Sequence, residues 1–114
     1  MIIGVVGVCA AGKSTLTASL KQAGYEARHI AQEHSYVADM WQRLTNPDIL
    51  IYLQVSYPVT IQRQQLDWTF DEYQEQLRRL QHAREHADLI IDTDPLSPQE
   101  ICDQVIVFLR TNTG

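Results

Sequence analysis

Gly7-Val8-Cys9-Ala10-Ala11-Gly12-Lys13-Ser14 is the stretch on which the reading of this chain turns. It fits G-x-x-x-x-G-K-[ST] at every defined position. Each defined residue answers a physical need. A glycine at 7 lets the chain turn sharply out of a strand, and one at 12 lets backbone approach a bound anion where a Cβ would collide. Successive N–H groups and the amino end of a helix starting at Lys13 then form an anion cradle. Lys13 adds a full positive charge for the terminal phosphates of a nucleotide, and the Ser14 hydroxyl can ligate Mg²⁺. Small Ala10 and Ala11 suit a crown wrapped around phosphate. Cys9 and Thr15 complete the lining, with Cys9 a loop residue without a redox role.

The flanks agree with this. Ile2-Ile3-Gly4-Val5-Val6 is a near-continuous apolar run with β-branched residues, as in a strand buried on both faces. Lys13 to Gln22 carries Leu16 and Leu20 one turn apart, and Gly24 stands where a helix C-cap belongs.

Further on, Tyr25 to Ile30 predicts a second short strand, and residues 36 to 45 a weak helix stopped by Asn46-Pro47. Asp48-Ile49-Leu50-Ile51-Tyr52-Leu53-Gln54-Val55 is the clearest strand, and a short helix is expected from Pro58 to Leu66. Phe70, Tyr73, Leu77, Leu80 and Ala83 form a stripe at helical spacing, leading to a last strand at Asp88-Leu89-Ile90-Ile91. Ser97-Pro98-Gln99-Glu100 is a capping box that opens a helix with Ile101, Val105, Phe108 and Leu109 on its buried face. Strands alternating with helices, without linker or repeat, predict one α/β domain over 1–114 with a mainly parallel sheet of four to five strands.

Composition bounds the partners. The 114 residues are 45% hydrophobic and 20% charged, which excludes a disordered chain. A net charge of −5 argues against non-specific nucleic-acid or anionic-membrane binding. The cations are concentrated instead, with Lys13 in the loop and Arg63, Arg78, Arg79 and Arg84 in one stretch, a distribution suited to a small anion. No apolar run is long enough to span a bilayer, and the opening residues lack the charge and cleavage pattern of a signal peptide. Cys9 and Cys102 lie in apolar surroundings, so a reduced, cytoplasmic setting is expected.

At this point the chain resembles the small P-loop kinases: nucleoside-monophosphate, shikimate, gluconate and dephospho-coenzyme-A kinases. The loop carries the likeness, with two further segments in the right order. Ile49-Leu50-Ile51-Tyr52-Leu53-Gln54-Val55 followed by Arg63 is similar to the element that opens the lid in those enzymes. Ala87-Asp88-Leu89-Ile90-Ile91-Asp92-Thr93-Asp94, with Leu96-Ser97-Pro98-Gln99-Glu100, looks like their last strand and closing helix. The resemblance implies a three-layer P-loop NTPase-type domain that uses ATP and Mg²⁺. Two departures stand out. One strand–helix unit is missing before Asp48, and the lid shrinks to about Gln64 to Thr69, with Asp67 where a lid arginine is expected.

The resemblance also assigns roles. Glu33, following a second strand expected beside the first, is the leading candidate for the magnesium carboxylate, and Asp92 is the second candidate. Arg63 is placed over the base or on the phosphates, and Pro95 and Leu96 along the adenine. Arg78 and Arg79 could reach a γ-phosphate or pair with Glu72 or Glu75. His34 is a candidate base beside Glu33, and Trp68 the leading stacking candidate among the aromatics. His82-Ala83-Arg84-Glu85-His86 spells an inverted zinc-protease string, but no third ligand is visible, and an exposed polar helix face is the preferred reading.

The function expected is an ATP-binding, Mg-dependent phosphotransferase acting on a small-molecule acceptor, with room for a homodimer. The alternative is a nucleotide-binding module without kinase activity. A GTPase is weaker, for want of an N-K-x-D string.

Overall fold

A computed structural model describes residues 1–64 and 67–113. Four parallel strands form one sheet in the order β2-β1-β3-β4, where β1 is Ile2–Gly7, β2 Glu26–His29, β3 Ile49–Gln54 and β4 Leu89–Asp92. The helices are α1 (Lys13–Gln22), α2 (Met40–Leu44), α3 (Tyr57–Gln64), α4 (Phe70–His86) and α5 (Pro98–Thr113). The sheet is therefore wholly parallel, with the lower of the expected strand counts. Between β2 and β3 lie a 3-10 turn, Gln32–His34, and α2, with no strand. The predicted weak helix at 36 to 45 is confined to its second half, and the end of the predicted helix at Leu66 lies outside the described residues.

Side chains alternate across a strand, and this sorts the helices into layers. Leu89 on β4 packs beside α5, which lies against α1. The register sets Tyr52 beside Ile90, the neighbour of Leu89 in the chain, and the Arg84 guanidinium of α4 lies 5.9 Å from the Tyr52 ring centre. Thus α1 and α5 cover one face and α4 the other, giving three layers. β3 is buried along nearly its whole length, in agreement with its unbroken apolar run. The predicted α4 stripe holds at Tyr73, Leu80 and Ala83, whereas Phe70 is half exposed and rests on the Tyr57 and Tyr73 rings.

The chain runs from β1 to β2 on one side and then passes back beyond β1 to β3 on the other. Such a reversal leaves a crevice beyond the carboxyl ends of the strands, and the glycine-rich loop leaves β1 there. Two aspartates fix the opposite end. Asp48 N–H donates to Ile2 O (2.8 Å) while its Oδ2 accepts from Ile2 N–H (2.6 Å). Asp88 repeats the pattern with Leu50, at 2.8 Å for both bonds. Each aspartate supplies an extra rung where the ladder would otherwise end. Asp48 thus sits at the amino end of its strand, away from the crevice.

Asp88→Ala should lower stability by about 1–3 kcal/mol, the usual cost of stranding a hydrogen bond to a charged group. Asp88→Asn, which keeps an acceptor, should lose clearly less. Urea denaturation of the two variants checks the difference.

Candidate functional site

The loop between β1 and α1 has a shape that its sequence imposes. Ala11 N–H donates to Val8 O (3.2 Å), closing a tight turn, and Ala10 and Gly12 take left-handed backbones at φ 68° and 96°. The structure adds to the reasons given for both glycines. A Cβ on Gly7 would stand 2.7 Å from the Leu53 carbonyl oxygen, so close approach to β3 demands glycine there. At Gly12 a Cβ would meet no protein atom within 4 Å, and the positive φ is a second reason for glycine there. Gly12 caps α1 without a side-chain hydrogen bond. The first amides of the helix, at Lys13, Ser14 and Thr15, therefore have no intrahelical acceptor and face outward at the positive end of the helix dipole.

Lys13 is buried, and its ammonium is fully engaged. It donates to Gly7 O (2.7 Å) and Val8 O (2.9 Å) and pairs with Glu33 Oε2 at 2.7 Å. Glu33 lies on the 3-10 turn after β2 and is 3% exposed, and its other oxygen, Oε1, is buried with no hydrogen-bond partner. Gln32 anchors this turn. Its amide donates to Val37 O (2.9 Å) and Arg79 O (3.1 Å) and accepts from Trp41 N–H (2.8 Å). The strand order expected for Glu33 is thus observed, since β2 does lie beside β1.

Two cavities flank the loop. One, about 250 Å³, is lined by Cys9, Ala10, Gly12, Lys13, Ser14, Thr15, His29 and Glu33. In it Ser14 Oγ stands 3.4 Å from His29 Nδ1, and burial together with Lys13 holds the His29 ring below its ordinary pKa. The other, about 360 Å³, is lined on the far side by Ala10, Ala11, Gly12, Thr15, Leu16, Arg63, Leu96, Pro98 and Ile101. Arg63 is held there by Thr93, with Nη1 donating to Oγ1 (2.9 Å) and Nη2 to the carbonyl oxygen. Leu96 lines this cavity as expected. Pro95 is exposed and is absent from its lining, which contains Pro98.

The remaining candidates fall elsewhere. Asp92 is exposed at the end of β4, separated from β1 by β3, and lines a different cleft with Asp94, Arg78 and Arg84. Arg78 and Arg79 both pair with Glu75, and Arg79 also donates to Glu33 O (3.3 Å) and covers the Tyr36 ring at 4.3 Å. Trp68 is not free to stack on a ligand. Its indole donates to Thr60 Oγ1 (3.0 Å), its carbonyl accepts from Tyr57 OH (2.6 Å), and its ring meets Tyr73 edge-on. His82 and His86 stack on each other at 4.2 Å beside Trp41, whose Nε1 donates to His82 Nδ1 (3.0 Å). The expected polar face is therefore partly a cover for a buried tryptophan. The shortened lid, Gln64 to Thr69, falls partly outside the described residues.

Three polar residues escaped the sequence reading. Gln32 and His29 sit in a short strand and turn with no periodicity to mark them. Gln76 of α4 was detectable, as a polar residue between Tyr73 and Leu80 on an apolar stripe. It reaches the loop, where Oε1 accepts from Cys9 N–H (3.0 Å) and Nε2 lies 3.2 Å from Cys9 Sγ.

No family model and no curated protein matches the sequence. Solved structures do. Shikimate kinase from Aquifex aeolicus superposes with a TM-score of 0.66 at 12% identity, over 99% of this chain and 98% of that one. Thymidylate kinase from Candida albicans does so at 0.64 and 13%, over 98% and 92%. Both are small P-loop kinases, and at such identities what this chain shares with them is the fold.

Lys13→Ala should cost about 3–5 kcal/mol, because Glu33 is left buried without its partner. The double change Lys13→Met with Glu33→Gln removes both charges and should cost far less than Lys13→Ala. Denaturant midpoints without ligand test the contrast.

Proposed function

We propose that this chain, sharing the fold of the small P-loop kinases, binds ATP with Mg²⁺ and transfers the γ-phosphate to a small-molecule acceptor. The observation that carries this reading is the loop itself: outward amides at Lys13, Ser14 and Thr15, beyond the carboxyl ends of β1 and β3, between two cavities. The cavity with Lys13 suits the phosphates, and the more apolar one with Leu96 and Ile101, bordered by Arg63, suits the base. Gly7, Cys9, Ala10, Ala11 and Gly12 form the turn that bounds the cradle, with the Cys9 and Ala11 N–H groups held by Gln76 and Val8.

The donor set suits magnesium, which takes oxygen ligands. Ser14 Oγ and the unpartnered Oε1 of Glu33 are oxygens of one cleft. Ser14 and Glu33 would hold magnesium there, and the ion would supply charge neutralisation for the phosphates. The protein's own part is positioning and charge. The amides fix the phosphates, Lys13 transfers its hydrogen bonds from carbonyls to phosphate, and Arg63 borders the base.

One observation favours the second reading, a nucleotide-binding module without transfer. Every donor of the Lys13 ammonium is engaged within the protein, so a phosphate there must displace one of these contacts.

A thermal-shift series with Mg-ATP should raise the melting temperature of the wild type by mass action. The Lys13→Met, Glu33→Gln protein should bind at least ~10-fold more weakly and show no turnover; unchanged affinity and rate would refute the assignment. Hydrolysis stimulated by one member of a panel of nucleosides, sugars and small acids establishes the kinase, whereas tight binding without stimulation establishes the module.

A further inference from the structure

Cys9 Sγ, a Glu33 carboxylate oxygen and a His34 ring nitrogen all lie within 4.8 Å of one another at the mouth of the loop. Chain order does not suggest this meeting, because Cys9 belongs to the loop after β1 and the other two to the turn after β2. We propose that these three side chains form a binding site for a thiophilic divalent cation of the Zn²⁺ class, separate in its chemistry from the magnesium expected with a nucleotide. Sulfur, imidazole and carboxylate make a zinc donor set, whereas magnesium takes oxygens.

Further observations support the site. Glu33 is 3% exposed and its Oε1 has no hydrogen-bond partner, so the carboxylate keeps a desolvated oxygen beyond the one that meets Lys13. Its other oxygen is held by Lys13 and fixes the carboxylate. Gln76 Nε2, 3.2 Å from Cys9 Sγ, is placed to donate to a thiolate, as outer-shell partners of metal ligands do. His34 Nε2 is 3.8 Å from Glu33 Oε2, and its exposed side chain is free to close on a metal. Tetrahedral zinc needs ligand atoms about 3.3–3.8 Å apart, given bonds of roughly 2.0–2.3 Å, so the group must contract by about 1 Å. The cleft beside Cys9 and Glu33 leaves room for water as fourth ligand. Binding converts the Cys9 thiol to thiolate and releases its proton to solvent.

Because the site shares Cys9 and Glu33 with the cleft beside Lys13 and Ser14, a bound metal and a nucleotide's terminal phosphate exclude one another. That consequence rests on the proposed nucleotide reading, while the metal site itself does not.

Co²⁺, a spectroscopic stand-in for zinc, tests the site on the nucleotide-free protein. The wild type should bind one equivalent with a sulfur-to-cobalt charge-transfer band, and Zn²⁺ should displace it. Cys9→Ser should abolish the band and weaken Zn²⁺ at least ~10-fold, and His34→Ala should weaken it by a similar factor. The His82→Ala, His86→Ala protein should match wild type. His34 is exposed, so its variant tests the site even if changes at Glu33 disturb folding. Absence of the band, or unchanged Zn²⁺ affinity in both the Cys9 and His34 variants, overturns the proposal whatever the protein does with ATP.

Discussion

The ion pair between Lys13 and Glu33 is the contact through which the rest of this site is organised. Both side chains are removed from water, and neither tolerates that without the other. The pair joins the first turn of α1 to the turn after β2, so the cradle and its facing wall hold a fixed distance. Gln32, next to Glu33, ties that wall to α2 and α4, and Gln76 ties α4 back to the loop at Cys9. A closed circuit of hydrogen bonds thus encloses the cleft on the β2 side. Neutral amides carry most of it, and they lock geometry without adding buried charge.

The sheet makes that circuit reachable. With only four strands, β2 lies directly against β1, which brings the Glu33 turn to the loop. A further strand between them would carry Glu33 a strand's width of about 4.8 Å away, beyond the reach of Lys13. The shortened topology and the buried pair therefore belong together. On the other side β3 separates β4 from β1, and Asp92 faces a different cleft.

Much of this was legible in the order of residues. The apolar runs of β1 and β3, the glycine–lysine loop and the capping box at Ser97 each depend on local chemistry, and each stands where its pattern put it. The placement of Glu33 beside the loop was legible because deleting a strand has a geometric consequence that can be worked out beforehand. Contacts decided by tertiary packing were not. Trp68 reads as a free ring until Thr60 and Tyr57 are seen to hold it, and the paired histidines at 82 and 86 read as polar surface until Trp41 lies beneath them. The added reasons for the glycines were also hidden, since a Cβ clash with Leu53 and a positive φ at Gly12 are facts about neighbours and backbone rather than residue type.

Ala10 carries one more implication. An alanine at φ 68° sits where an L-residue is disfavoured by about 1–2 kcal/mol, and the turn between Val8 and Ala11 keeps it there. A glycine at position 10 would release that strain, at the cost of a more mobile chain before folding.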